Sequence, residues 1–331
     1  METPQINKSI STNIPSEISK FFTDELKNYL VIKDGNIIIT EINKNFKNLI
    51  IKNEENNLKI IVPKNFYENQ TLHFFYFYEN KNSNNTVTVE LEANAELSYF
   101  EYLYNIGETK ISIVSNTYLS ENSKLTYTGI TNFNELSQVD IKRNSYISAY
   151  GRSLYSVAEV NDGITNVETN IYLNGKDASA TIKTVAITSN KQKVKIKQII
   201  EHNAINTEGY IENYGVSNNQ STLIFEGIGK INKNMKKSTA RQQNRGIVLG
   251  EKARLEANPL LFIDEYDVEA SHGAAIGKID EEQLYYLMSR GLTIKDAERL
   301  IITGFLSPVV KLLTTKELKN DFVNIVNKKT L

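Results

Sequence analysis

The chain has 331 residues, 40% hydrophobic and 23% charged, with 38 Lys+Arg against 39 Asp+Glu, a formal net charge of -1. This is an ordinary globular composition, and the balance argues against a generic nucleic-acid binder, which carries a basic excess. With no cysteine, disulfide scaffolds, thiolate metal sites and cysteine nucleophiles are excluded.

The first segment reads as mixed. In "SEISKFFTDELKNYL" the residues Ile18, Phe21, Phe22, Leu26 and Leu30 fall at helical spacing behind Ser16, so a helix is predicted there, followed by a short strand in "NIIITEI". The N-terminus shows no basic start leading into an apolar run, as a secretory signal would. Stretches such as "LHFFYFY" are too short to span a bilayer. A cytoplasmic protein is expected. The abundance of Asn, Lys and Ile is given no functional weight.

From Leu58 to Ile279 the texture becomes strand-like. "TVTVELEANAELSYFEYLY" alternates apolar and polar residues, and so do "KISIVSNTYL", "KLTYTGITNF", "ASATIKTVAIT", "QKVKIKQII" and "STLIFEGIGKI". Short Asn-, Gly-, Asp- and Ser-bearing turns separate them, with no helical pattern between. Evenly spaced short strands fit a sandwich, a barrel or a solenoid. A sandwich of this length would divide into units of about 100 residues, and no linker is visible. A solenoid grows by stacking coils and is the favoured reading, although no strict repeat is present.

The last fifty residues read as helices. Asp280 caps "EEQLYYLMSRG", Glu281 and Glu282 occupy the positive end of its dipole, and Leu284, Leu287 and Met288 form an apolar stripe. Arg290 lies in the last turn and Gly291 suits a left-handed stop. Thr293 and Asp296 begin the next helix, with Ala297, Leu300, Ile301 and Phe305 on one face until Pro308 interrupts it. A final helix turns Leu318, Phe322, Ile325 and Val326 inward. The division is thus 1–57 mixed or partly helical, 58–279 β core, and 280–331 helical.

Few residues advertise chemistry. His272 in "SHGA" reads by itself as a polar turn residue; the alternative is a neutral imidazole acting as metal ligand or proton carrier, near Asp264, Glu265, Asp267 and Glu269. His202 at a strand end reads as a hydrogen bond to a neighbouring coil, and His73 as structural. The three histidines lie on three separate segments and make no zinc signature. The run "KINKNMKKSTARQQNRG" is basic but lacks aromatic interleaving, so a solvated turn is preferred over a nucleic-acid surface. Phosphate-loop, nucleophile-elbow and dinucleotide motifs are absent. Carboxylate-pair chemistry of the kind used by β-helical polysaccharide-cleaving enzymes stays open, with no specific pair indicated.

One long block is more specific. "ARQQNRGIVLGEKARLEANPLLFIDEYDVEASHGAAIGKIDEEQLYYLMSRGL", with "DAERLIITGF" behind it, resembles the SufB/SufD family of iron–sulfur cluster assembly proteins, most of all its SufD branch. "EANAELSYFE", "QIIEHNAINTEGY" and "LIFEGIGKI" resemble it more weakly, placing His202 and Thr207 in a His-x-x-x-x-Thr segment; the likeness runs from Val87 to Phe305. The resemblance implies a right-handed parallel β-helix with a small helical C-terminal domain. It implies a non-catalytic scaffold subunit that pairs with a SufB-like partner and docks a SufC-like ATPase. His272 is then the candidate ligand for iron or a nascent cluster at the partner interface, and His202 a secondary candidate. Arg290, Gly291, Glu281 and Glu282 are the candidate ATPase contacts. SufB-type members carry Cys where this chain has Ala253 and Glu where it has Gly273, and many SufD-type members carry Cys at Ala270. No cluster bound stably by this chain alone is therefore expected. No nucleic-acid or membrane partner is expected either. The rivals are a SufB-like homodimer and a polysaccharide-active enzyme.

Overall fold

The computed structural model describes residues 14–330. Strands alternate between two sheets as the chain advances. A front sheet holds ten strands, a back sheet nine, and from Asn57–Val62 onward each strand pairs with the one two places later in sequence. All these pairings are parallel; only the first hairpin of each sheet is antiparallel. The result is a β-solenoid of about eight turns. Tyr99, Tyr127, Tyr155, Ile182, Ile211, Gln242 and His272 occupy one register row, at intervals of 27 to 31 residues. The pleat sends alternate residues into the lumen. Leu223, Phe225, Gly227, Gly229 and Ile231, for example, are all buried on the strand Thr222–Ile231.

The corners explain much of the asparagine. Asn65, Asn94, Asn122 and Asn206 have φ near +60°, and Tyr150, Asp177 and Lys237 hold the same corner in the remaining coils. A short polar side chain tolerates this left-handed conformation better than most. Each such residue donates its backbone N–H to the next coil, as in Asn94 to Glu121 at 3.0 Å and Asn122 to Ala149 at 2.9 Å. The side chains stack as well: Asn94 Nδ2 donates to Asn65 Oδ1 at 2.9 Å, and Asn122 Nδ2 to Asn94 Oδ1 at 2.8 Å. The residue that composition dismissed as background is what turns the chain.

The first helix falls short of its expected span. Only Ser16–Ser19 (α1) is helical, and Leu30 already belongs to the strand Tyr29–Lys33, which pairs with Leu72–Tyr78. Ile18, Phe21, Leu26 and Leu30 are all buried. The spacing records burial of an irregular segment rather than helix, because sheet pairing captures the chain at Tyr29.

At the other end come α2 (Glu281–Ser289), α3 (Ile294–Phe305), α4 (Ser307–Val310) and α5 (Lys316–Thr330). Asp280 accepts from the N–H groups of Glu282 and Gln283 at 2.9 and 3.2 Å, and Thr293 Oγ1 from that of Asp296 at 3.2 Å, as their cap positions predict. The helices from α3 onward lie over the outer face of the front sheet. Ile302, Leu306, Val309, Leu318, Phe322 and Val326 form a second core there with Phe75, Phe77, Phe100 and Tyr102. Leu300 departs from the expected inward face and is 54% exposed; the buried stripe of α3 runs through Ala297 and Ile302 instead.

Candidate functional site: the open end of the solenoid

The strands Arg254–Ile263 and Glu269–Gly277 are the last of their sheets, and each pairs on one side only. Their register fixes which side chains continue the lumen. Ala240, Gln242 and Asn244 are buried inward residues of the preceding front strand, and their partners are Ala270, His272 and Ala274. His272 therefore continues an inward-facing row. Among the described residues no further coil covers it, and every residue of Glu269–Gly277 is exposed. On the back sheet, Ala257, Pro259, Leu261 and Ile263 extend the buried inward row of Phe225, Gly227, Gly229 and Ile231 in the same way. An edge of unpaired backbone groups thus borders an uncapped, mostly apolar lumen with one imidazole in it. Unpaired edges of this kind are templates for strand addition.

Two of the four acidic residues near His272, Glu265 and Glu269, are occupied. Glu265 accepts from the backbone N–H groups of Asn234, Tyr266 and Asp267 at 2.9, 2.9 and 3.3 Å, and the last two of these do most to hold its carboxyl below the ordinary value. Glu269 pairs with Arg241 at 2.7 Å. Among the described residues no group of three or more His, Cys, Asp or Glu side chains is placed to hold a metal ion. Gly273 alternates to the outer face, away from His272, and a Cβ there would meet nothing within 4 Å. Ala253 precedes Arg254 at the far end of the terminal coil, on the order of 20 Å of strand from His272 at about 3.3 Å per residue. The positions 253, 272 and 273 do not converge within one chain.

The other histidines lie deep in the body. His202 is buried, with Nδ1 2.7 Å from Thr207 Oγ1 and Nε2 without a partner. His73 joins three segments. Its Nδ1 lies 3.2 Å from the carbonyl of Lys27, and its Nε2 lies 2.7 Å from Thr314 Oγ1 between α4 and α5. Burial lowers both to about 4, opposed at His73 by its backbone hydrogen bonds. Because the folded pKa lies below the unfolded value of about 6.5, the unfolded chain binds more protons in this window. The stabilisation is complete above pH 6.5 and is lost as pH falls through 4, by up to about 3 kcal/mol per histidine. Urea midpoints should therefore drop between pH 7 and pH 4.5, and His202→Gln should flatten that slope. An unchanged slope would show that His202 does not contribute.

Sequence reasoning missed a buried charge cluster. Arg143 Nη1 donates to Glu159 Oε1 at 3.0 Å, with both side chains at most 3% exposed. Glu159 also takes Thr131 Oγ1 and, at 3.3 Å, Asn161 Nδ2. Glu101 accepts from Tyr127 at 2.9 Å, and burial raises its carboxyl above the ordinary range. The basic run from Lys230 to Arg245 is no separate patch. It spans the end of one strand, a corner and the next strand, and Lys230 pairs with Glu201 at 2.9 Å.

The α2–α3 hairpin is a second candidate surface. No α2 residue is buried; Leu284 and Leu287 are half-buried against α3, while Met288, expected in that stripe, is 42% exposed. Tyr285, Tyr286, Leu292, Ile294 and Leu300 are exposed too. A groove of about 360 Å³ runs between Glu282, Gln283, Tyr286, Leu287 and Ile301. The Arg290 guanidinium sits 5.3 Å from the Tyr286 ring centre, and Gly291 takes φ +93° at the helix stop. The sequence signal for this surface was available: apolar and tyrosine residues surround α2 on more than one face.

A family model described as "SUF system FeS cluster assembly, SufBD core domain" matches residues 75–305. The iron–sulfur cluster assembly protein SufD of Bacillus subtilis is 37% identical over 228 residues, 68% of this chain and 52% of that protein. SufD of Escherichia coli is 28% identical over 151 residues, 46% of this chain and 36% of that protein. A SufBD family protein of Pyrococcus horikoshii is 28% identical over 198 residues, 60% of this chain and 44% of that protein. The matched stretches thus span about half the length of these relatives or less.

Proposed function

This chain belongs to the SufBD core family, and from that premise we propose that it is a SufD-like, non-catalytic subunit of an iron–sulfur cluster assembly scaffold. The observation that carries the reading is the uncapped final coil, with His272 in an inward row that stops at solvent. A SufB-like partner adding its own edge strands would satisfy the unpaired backbone groups and bury Leu261, Ile263, Ala274 and Ile276. The imidazole would then lie at the junction of two lumens, with a nitrogen lone pair available for iron of the nascent cluster, which is cargo here. The remaining ligands come from the partner, since this chain has no cysteine. The α2–α3 surface takes the SufC-like ATPase, with Tyr286 and Leu287 at its centre and Glu281, Glu282, Arg290 and Gly291 at its rim.

His272→Ala tests the first half. Changing even the outer-shell partners of a metal ligand typically costs 10–100-fold. Cluster formation in the reconstituted complex is therefore expected to fall by about tenfold or more. The melting temperature should not move, because the side chain is exposed. Undiminished cluster yield would refute the ligand role; loss of co-purification with the partner would recast His272 as a pairing residue.

A further inference from the structure

A further groove lies along the corners that lead from front to back strands. It encloses about 900 Å³, and the end of α5 forms one wall. Lys191, Lys193, Lys328 and Lys329 line it against Asp162 and Glu135. Lys329 is structural. Its side chain is 3% exposed, and Nζ donates to the Asn161 carbonyl at 2.7 Å, Asp162 Oδ1 at 2.5 Å and Gln192 Oε1 at 3.4 Å. Gln192 is fixed in turn, donating to the Asn161 carbonyl at 2.6 Å and accepting from the Ser189 N–H at 2.7 Å. The floor is therefore a preformed polar surface.

The other three lysines lack the close partner that several sheet-face lysines have. Lys59 pairs with Glu90 of the neighbouring coil at 2.7 Å, Lys183 with Glu212 at 3.0 Å, and Lys195 with Glu226 at 3.0 Å. At the groove, Lys191 and Lys193 have no carboxylate within 4.0 Å among the described residues, and Lys328 reaches Asp162 only at 3.9 Å. Asp162 is already bound to Lys329. Uncompensated ammonium groups around a polar concavity favour an anion. The lining has no aromatic ring, so a nucleobase finds no stacking platform.

We propose that this corner groove binds a small polyvalent anion carrying phosphate or carboxylate groups. Lys191 and Lys193 hold it from the solenoid and Lys328 from α5. Bound there, the anion ties the last turn of α5 to the coils beneath it.

Calorimetric titration of the full chain with inorganic tripolyphosphate, and separately with citrate, at about 0.15 M salt tests this. Saturable binding of one equivalent of at least one probe is expected, and the probe that binds identifies phosphate or carboxylate as the recognised group. Charge-assisted contacts are the strong ones. The double variant Lys191→Gln/Lys193→Gln should therefore bind about tenfold more weakly or worse, while Lys183→Gln, on a sheet face, binds as the wild type does. Lys191 and Lys193 are exposed, so the melting temperature without ligand should match the wild type. No saturable binding of either probe, or undiminished binding by the double variant, overturns the proposal.

Discussion

Arg143→Ala should destabilise the middle coils by about 3–5 kcal/mol, the usual cost of leaving one member of a buried ion pair alone. The Glu159 carboxylate would lose its one charged partner among the described residues in a lumen where it is 1% exposed. The hydroxyl of Thr131 and the amide of Asn161 would remain, and neutral donors do not replace a guanidinium. Arg143 also lies 5.7 Å from the centre of the Tyr127 ring, so truncation removes a cation–π contact and opens a void. The double variant Arg143→Met/Glu159→Leu should recover most of the loss, since apolar residues of similar volume can replace a buried pair at little cost. Urea unfolding and amide exchange in the strands Ser137–Ile147 and Arg152–Glu159 provide the measurement. A loss under about 1 kcal/mol, the range of exposed pairs, would mean that water reaches the lumen there.

Tyr286→Asp and Leu287→Asp should each weaken binding of the proposed SufC-like ATPase by about 30-fold or more, the effect of losing an interface hot spot worth about 2 kcal/mol. The reasoning is local. Nothing on α2 is buried in the free chain, although Leu284, Tyr285, Tyr286, Leu287 and Met288 make up five of its nine residues. The groove beside Tyr286 and Leu287 offers a pocket for a partner's side chain. Tyr286 is exposed, so Tyr286→Asp should leave the melting temperature nearly unchanged, whereas Leu287→Asp also loosens the packing of α2 on α3 and is read beside it. Deleting everything beyond Ile279 would be a poor test, since Ile302, Phe322 and Val326 cover the front sheet. Pull-down at wild-type affinity with both variants would end the assignment.

Alternation made the strands legible, and Asp280, Thr293 and Gly291 marked the helix ends correctly. The stacking rows were not legible. Coil length varies from 26 to 32 residues, so no fixed period aligns Arg143 with its neighbours. Glu159 lies sixteen residues from it, on the opposite sheet. The one-turn α1 shows the same limit. Apolar spacing at Ile18, Phe21 and Leu26 reports which residues are buried, and a parallel partner 44 residues away, Tyr29 with His73, decides the backbone. For the candidate site, the sequence supplied His272. That it lies in an unclosed inward row, with residue 273 on the opposite face, required the register.

The helices that close over the front sheet have a consequence for synthesis. Most contacts in a solenoid join neighbouring coils, so winding can keep pace with translation. The strap formed by α4 and α5 follows a different schedule. Thr314 meets His73 across 241 positions, and Asp321 meets Tyr102 across 219. At 5–20 residues per second, Tyr102 leaves the ribosome roughly 10–40 s before its partner exists. Through that interval Phe77 and Phe100 lack their helical cover, and Phe75 has Phe21 and Phe22 of the N-terminal segment against it but no helix. The nascent chain is thus most vulnerable to aggregation at its earliest coils, and the final fifty residues end that exposure.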